Sequence, residues 1–269
     1  MKIIDSFTFY NELELLNYRL NILNDVVDYF IIVESTYTHA GHIKPLYFID
    51  NLHLFDNFKE KIIHIIVDDF KYIHPTINTK NGEQWINENY QRNCISKGID
   101  KLQLKMEDLI MLSDLDEIPD PNTLQLIKNN TIIINNIKDF KMDLYYYNLN
   151  NKLNIVWDKS KIFTFNYYIH LNNTTLTHVR LSYNETIERG GWHLSYFGNS
   201  EFIKNKIINF GHQEYNNETY TNVNDIEYKI NNNIDIYNRT NSTITYIPII
   251  NNNYLPPQYS NYLTNFYKL

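Results

Sequence analysis

Short apolar runs separated by polar punctuation organise the first half of the chain. Residues 2–9 read as a strand that gives way to Tyr10, Asn11 and Glu12. Leu13, Leu16, Leu20 and Leu23 then recur at helical spacing, with Asn11 placed to cap the helix. Residues 28–33 form a largely continuous apolar run, as a strand buried on both faces requires, and end in Glu34-Ser35-Thr36. Strand, helix, strand is a βαβ unit, which predicts an α/β fold. After a loop and short helix over 45–58, residues 61–67 predict a third strand, and 70–82 a long loop. Asn81, with Gln84 three positions on, announces a helix over 83–97 that Gly98 would end. Ile86, Tyr90, Cys94 and Ile95 are its expected core face, which turns Glu88 and Arg92 away from the core.

From Lys138 the pattern changes. Residues 140–149, 155–165, 167–171 and 176–181 look strand-like without long helices between them, so antiparallel hairpins are expected. Residues 184–191 read as a loop, 200–210 as a helix on Phe202, Ile203, Ile207 and Phe210, and 225–230 as a short helix. Pro256-Pro257 opens a tail expected to dock by its aromatic side chains. The absence of repeats or linkers predicts a single domain over residues 1–269.

The stretch Asp108-Leu-Ile-Met-Leu-Ser-Asp-Leu-Asp-Glu-Ile-Pro119 carries the clearest chemistry. A short buried strand runs into Asp114, Asp116 and Glu117, and alternation along an extended backbone points Asp114 and Asp116 to one side. Two like charges so close call for something positive between them, and a divalent cation is the usual answer. Open α/β sheets place ligands at such strand ends. The plainer alternative is a turn whose carboxylates cap the following helix. His39-x-x-His42 also has metal-pair spacing, but no carboxylate companion or helix supports it.

Composition narrows the field. Hydrophobic residues make up 43% of the 269 positions, enough for a large core. The 23 tyrosines suit stacking on rings as well as core packing. A net charge of −7 without a long basic run argues against nucleic acid as a partner. One cysteine, Cys94, rules out an internal disulfide or a cysteine-based zinc site and points to a reducing compartment. No apolar run reaches the roughly 18 residues of a membrane span, so a cytoplasmic protein without signal peptide or anchor is expected.

Five stretches, spread in order over residues 1–215, carry a family resemblance. They are Asp5-Ser-Phe-Thr-Phe-Tyr-Asn-Glu12, Phe30-Ile-Ile-Val-Glu-Ser35, Glu88-Asn-Tyr-Gln-Arg-Asn93, Ser113-Asp-Leu-Asp-Glu-Ile-Pro119 and Gly191-Trp-His-Leu-Ser-Tyr-Phe-Gly198. In these the chain resembles glycosyltransferase family 17, which includes the enzyme adding the bisecting N-acetylglucosamine to N-glycans. The resemblance implies an α/β, GT-A-like (Rossmann-like) fold, with a mixed central sheet, helices on both faces and an additional antiparallel β region. It implies an inverting transfer from a UDP-sugar, with UDP-N-acetylglucosamine inherited from the family, to a glycan or glycoprotein acceptor. Residues 1–130 would bind the nucleotide sugar, 131–215 would supply the acceptor side and site closure, and 216–269 would form a C-terminal extension. The extension matches nothing in the family pattern.

The same resemblance distributes roles. A divalent metal, Mn²⁺ or Mg²⁺, would be held directly by Asp116, with Asp114 on the ribose or a metal-bound water and His193 as a third metal ligand or a phosphate ligand, unless it is structural. Glu117 would support the site from behind or simply start a helix. Tyr10, Glu12 and Glu34 would contact uracil or ribose, and Arg92 with Asn93 would reach the diphosphate. Glu12 equally suits a first-turn helix carboxylate, and Arg92 an ion pair with Glu88. Trp192 would stack on a sugar or fill core, and Gly190, Gly191 and Gly198 would allow close backbone approach or loop closure. An inverting transfer needs a general base, for which Glu188 is the first candidate, followed by Glu214 and Asp143. Two other readings share parts of this pattern: a nucleotidyltransferase, and a non-catalytic carbohydrate- or nucleotide-binding protein.

Overall fold

In the computed structural model, which describes residues 1–240 and 242–268, four parallel strands form the front of one sheet. They are β1 (Ile3–Phe9), β2 (Tyr29–Ser35), β3 (Ile62–Val67) and β4 (Leu109–Asp114), in the order β3-β2-β1-β4. Alternation along β1 sends Ile3, Phe7 and Phe9 to one face and Ile4 to the other, so both faces must be covered. Helix α1 (Leu13–Leu23) covers the first face with Leu15, Leu16, Leu20 and Leu23. After α2 (Tyr47–Asp50), α3 (Glu83–Asn93) and α4 (Ile95–Ile99) cover the second, where Cys94, Ile95 and Ile99 meet Ile31 and Ile110. The chain leaves β1 in one direction for β2 and β3, then returns on the other side as β4. The strand order therefore reverses between β1 and β4, and their carboxyl ends part to leave a crevice.

Two expectations about the long helix are corrected. Gly98 lies inside α4, where a Cβ would fall 2.4 Å from the Ile31 side chain, so its role is close packing on β2 rather than termination. The face of α3 is also turned round. Ile86 is 48% exposed and Tyr90 36% exposed, while Gln84, Asn87, Gln91 and Arg92 are buried. Buried polar groups need partners: Gln91 and Arg92 find them at the ends of β1, β2 and β4, and Asn87 donates to the His39 carbonyl.

Beyond β4 follow β5 (Glu117–Pro119), α5 (Pro121–Lys128), β6 (Ile137–Tyr146), β7 (Asn151–Trp157) and β8 (Lys161–Thr164). Next come α6 (Phe165–Ile169), α7 (Leu176–Leu181), β9 (Thr186–Ser195), α8 (Ser200–Asn209), α9 (Glu218–Thr221) and α10 (Val223–Asn232). The described chain closes with β10 (Ile244–Tyr246) and α11 (Tyr259–Tyr262). Strand β8 lies antiparallel beside β4 and carries the sheet on to β6, β7 and β10, which supplies the antiparallel region. The central sheet is therefore mixed, with helices on both faces.

Residues 167–171 and 176–181 do not form the expected strands. Thr164 and Thr175 each accept a hydrogen bond from the backbone N–H three residues on, and these caps start α6 and α7 against the strand preference of the residues that follow. The expected loop at 184–191 is instead the first part of β9, which runs parallel to β6 and antiparallel to β5. Gly191, at φ 139°, permits that second pairing, because a Cβ there would lie 2.1 Å from the Ile118 carbonyl oxygen. The glycines thus serve strand approach rather than loop closure. The tail docks as expected: Leu263 and Phe266 are buried in the α1-side core, and the Tyr18 hydroxyl donates to the Pro257 carbonyl. No helix of the described residues is long and apolar enough to cross a membrane.

Candidate functional site

The acidic turn after β4 is held from below by a residue outside every motif. Arg19 of α1 is fully buried and donates to both carboxylate oxygens of Asp5, at 2.8 and 2.6 Å. Its Nη1 donates to the carbonyls of Asp114, Leu115 and Glu117, each at 2.9 Å, and its Nη2 to Ser113 Oγ at 2.7 Å. A buried charge persists only when paired and fully hydrogen-bonded, and here that pairing fixes the path of residues 113–117.

Above this clamp the acidic side chains divide. Asp114 accepts from Arg92 Nη2 at 3.1 Å and from Arg180 Nη2 at 2.7 Å. Burial opposes its ionisation, but the Arg180 and Arg92 guanidiniums overcome this and hold the carboxyl down at about 2. Arg180 also grips both oxygens of Glu117, at 2.5 and 2.8 Å, while Trp157 Nε1 donates to Glu117 Oε1 at 2.6 Å. Glu117 is fully buried, so it anchors Arg180 from behind rather than facing the crevice. Asp116 accepts from Lys206 Nζ at 2.9 Å, and its other oxygen faces His193 Nε2 at 3.5 Å. Burial again opposes ionisation, and Lys206, then His193, pull the Asp116 carboxyl well below the usual carboxylate range. Lys206 also pairs with Glu12 at 3.2 Å; against the cost of burial, Asp116 and Glu12 raise its ammonium well above the usual lysine range.

These groups line a cleft of about 720 Å³ at the carboxyl ends of β1 and β4. Its floor carries Tyr10, Glu12, Glu88, Arg92, Asp114, Asp116 and His193, and its far wall carries Tyr146, Tyr215, Tyr237 and Arg239. Strand pairing delivers His193: it lies opposite Glu117 in the β5–β9 ladder, and the Leu194 N–H donates to the Asp116 carbonyl at 2.8 Å. Arg92 Nε and His193 Nδ1 are buried with no partner among the described residues. Such atoms cost about 1–3 kcal/mol each when left unpaired, so the cleft carries polar capacity that the described residues do not satisfy.

The residues can be tested against a divalent metal. Asp116 Oδ1 and His193 Nε2 converge on one point of the cleft wall, and no other described side chain hydrogen-bonds to either atom. Asp114 is turned to its two arginines and does not join them, and no three His, Cys, Asp or Glu gather to hold a metal among the described residues. Metals that keep several waters and phosphate oxygens need only one or two protein ligands, so the Asp116–His193 pair fits. In the cleft lining Glu12, Glu88, Asp114 and Asp116 face Arg92, Lys159, Arg180, Lys206 and Arg239, so carboxylates and cations nearly balance before any ligand enters.

Other expected site residues lie elsewhere. Glu34 is fully buried beneath the sheet end, within 3.4 Å of Lys44 and 3.2 Å of His64, and accepts from the Phe48 N–H. It fastens the segment after β2 instead of reaching the cleft. Trp192 is 1% exposed, and its Nε1 donates to the Tyr254 carbonyl, so it fills core. Asn93 Oδ1 accepts from the Thr177 N–H and hydroxyl, which fixes the start of α7 and hence Arg180. The three base candidates are outside the cleft lining: Glu188 is exposed and paired with Lys141, Glu214 is exposed beside His212, and Asp143 pairs with Lys152. The strand reading of β9 explains Glu188, since alternation aims it at solvent. His42 stacks on His74 at 3.8 Å and does not converge with His39.

Comparison with known proteins gives a consistent picture. Residues 1–262 match the description of glycosyltransferase family 17, so the family pattern takes in most of the 216–269 segment that was expected to lie outside it. Over 122 residues the chain is 31% identical to the β-1,4-mannosyl-glycoprotein 4-β-N-acetylglucosaminyltransferases of Rattus norvegicus and Homo sapiens. The matched stretch is 44% of this chain and spans about a fifth (22%) of the length of those curated relatives. Among solved structures, the 4-diphosphocytidyl-2C-methyl-D-erythritol synthase of Anaerococcus prevotii superposes with a TM-score of 0.37 at 10% identity, over 70% of this chain and 86% of that one. That likeness is too slight to argue from.

Proposed function

The chain belongs to glycosyltransferase family 17, and we propose that its cleft transfers a sugar from a nucleoside diphosphate to an acceptor hydroxyl. The observation that carries this reading is the Asp114-Leu115-Asp116 turn at the β1–β4 switch point, ringed by Arg92, Arg180 and Lys206. The printed activity of the relatives makes N-acetylglucosamine, delivered as UDP-N-acetylglucosamine, the proposed sugar and a mannosyl glycan or glycoprotein the proposed acceptor. The reaction is proposed to invert the anomeric carbon on a GT-A-type scaffold.

In this account the nucleotide lies across the carboxyl ends of β1 and β4, with Tyr10 and Glu12 beside it. Arg92, whose Nε lacks a partner among the described residues, turns toward the diphosphate. Asp114, oriented by its two arginines, takes the ribose or a metal-bound water. Asp116 and His193 would hold Mn²⁺ or Mg²⁺, which when bound neutralises charge developing on the leaving diphosphate. Residues 131–215 then supply the acceptor side. The segment after 216 lengthens the cleft through Tyr237 and Arg239.

A thermal-shift panel of UDP, GDP and CDP, with and without Mn²⁺, tests the reading. UDP with Mn²⁺ is expected to raise the melting temperature more than either alone. No shift with any nucleoside diphosphate would reject it.

A further inference from the structure

An inverting transfer requires a group to take the proton of the attacking hydroxyl. Most cleft carboxylates are committed: Asp114 to two guanidiniums, and Asp116 and Glu12 to the Lys206 ammonium. The remaining carboxylate in the cleft lining among the described residues is Glu88, on the inward face of α3. Its Oε1 accepts from Arg92 at 2.9 Å. Its Oε2 accepts from no described side chain and faces His39 Nδ1 at 3.5 Å.

Gln91 decides the state of that imidazole. The Gln91 amide nitrogen donates to the Val33 carbonyl at 2.9 Å and lies 3.4 Å from the Phe9 carbonyl, so its oxygen is turned to His39 Nε2 at 2.9 Å. Nε2 must therefore donate, and in the neutral ring Nδ1 carries a lone pair. With the ring neutral, Glu88 Oε2 and His39 Nδ1 face each other as two acceptors, and a proton taken up between them turns the contact into an ion pair. Gly211 lets the chain pass close by Glu88 Oε2, since a Cβ there would lie 2.4 Å from that oxygen. Two acceptors aimed at one point form a place to receive a proton.

We propose that Glu88 is the general base of the transfer and that His39 holds the proton with it. This rests on the glycosyl-transfer reading. The acceptor oxygen forms a bond to the anomeric carbon as the bond from that carbon to the diphosphate oxygen breaks. The bonding pair leaves with the nucleoside diphosphate, and the hydroxyl proton passes to Glu88 Oε2, shared with His39 Nδ1.

The test uses the full chain with UDP-N-acetylglucosamine and Mn²⁺, following release of UDP to water and to methyl β-mannoside. Glu88→Gln preserves size and an oxygen for Arg92. It should keep the UDP-induced rise in melting temperature while UDP release falls by about 100-fold or more. His39→Ala should lose about tenfold. Sodium azide, a nucleophile with no proton to give up, should restore UDP release to Glu88→Ala with formation of a glycosyl azide, and should not restore it to Asp116→Asn. Undiminished release by Glu88→Gln would overturn the assignment. So would a loss that azide leaves unrepaired and that falls equally on UDP binding, because Glu88 would then act only by holding Arg92. A wild-type protein that binds UDP but cleaves no sugar nucleotide would overturn the transfer reading, and the base with it.

Discussion

Arg19 is the residue whose loss should be felt furthest. It pairs with buried Asp5 and at the same time ties three carbonyls of the acidic turn, those of Asp114, Leu115 and Glu117. Replacing it with methionine leaves Asp5 charged and unpaired, so Arg19→Met should lower unfolding free energy by about 3–5 kcal/mol, measured by urea titration. An unchanged midpoint would show that the pair is dispensable. Arg19, Arg180 and Lys206 were not legible as site residues. A signal did exist for two of them: Arg19 follows Leu16 by three positions and Lys206 follows Ile203 by three, which places a cation on an apolar helical stripe. A cation there is either snorkelling or buried with a partner, and sequence spacing alone does not tell which. Asp114 and Asp116 were legible because strand alternation and like-charge repulsion are local facts. Their different partners come from α3, α7 and α8, far away in sequence.

At the scale of elements, the front βαβ unit, β4 and α8 follow from apolar periodicity, because each buries a regular pattern. Helix α3 breaks that rule. Its inward face is polar since it borders a ligand cleft as well as a core, so hydrophobic periodicity pointed the helix the wrong way. Strand β9 was hidden by its glycines, which look like a loop and act as the contact that lets β9 reach β5. That contact sets the position of His193. Gly191→Ala would place a methyl group against the Ile118 carbonyl in a backbone conformation unfavourable to L side chains. It should cost about 2–4 kcal/mol and weaken the response of the melting temperature to UDP with Mn²⁺. Denaturation and thermal-shift curves matching wild type would remove β9 as the positioning element.

Across the whole molecule, one mixed sheet brings the strand ends, α3, α7 and α8 around a cleft whose carboxylates are ion-paired with its cations. Stability should follow from this at low pH. The folded-state pKa of Asp114 lies below the ordinary carboxylate value, so its contribution is complete above about pH 4 and is lost as pH falls through about 2. Unfolding free energy should decline over that window, and Asp114→Asn should flatten the decline; an unaltered acid limb would mean that the two arginines do not favour the carboxylate. Under the proposed function, Asp116 joins metal and nucleotide at the switch point. Calorimetric titration of UDP, with and without Mn²⁺, into wild type and Asp116→Asn tests this most directly. Wild type should bind UDP more tightly by tenfold or more when Mn²⁺ is present, and the variant should lose that gain while keeping its fold. Equal Mn²⁺ enhancement in both proteins would contradict the account.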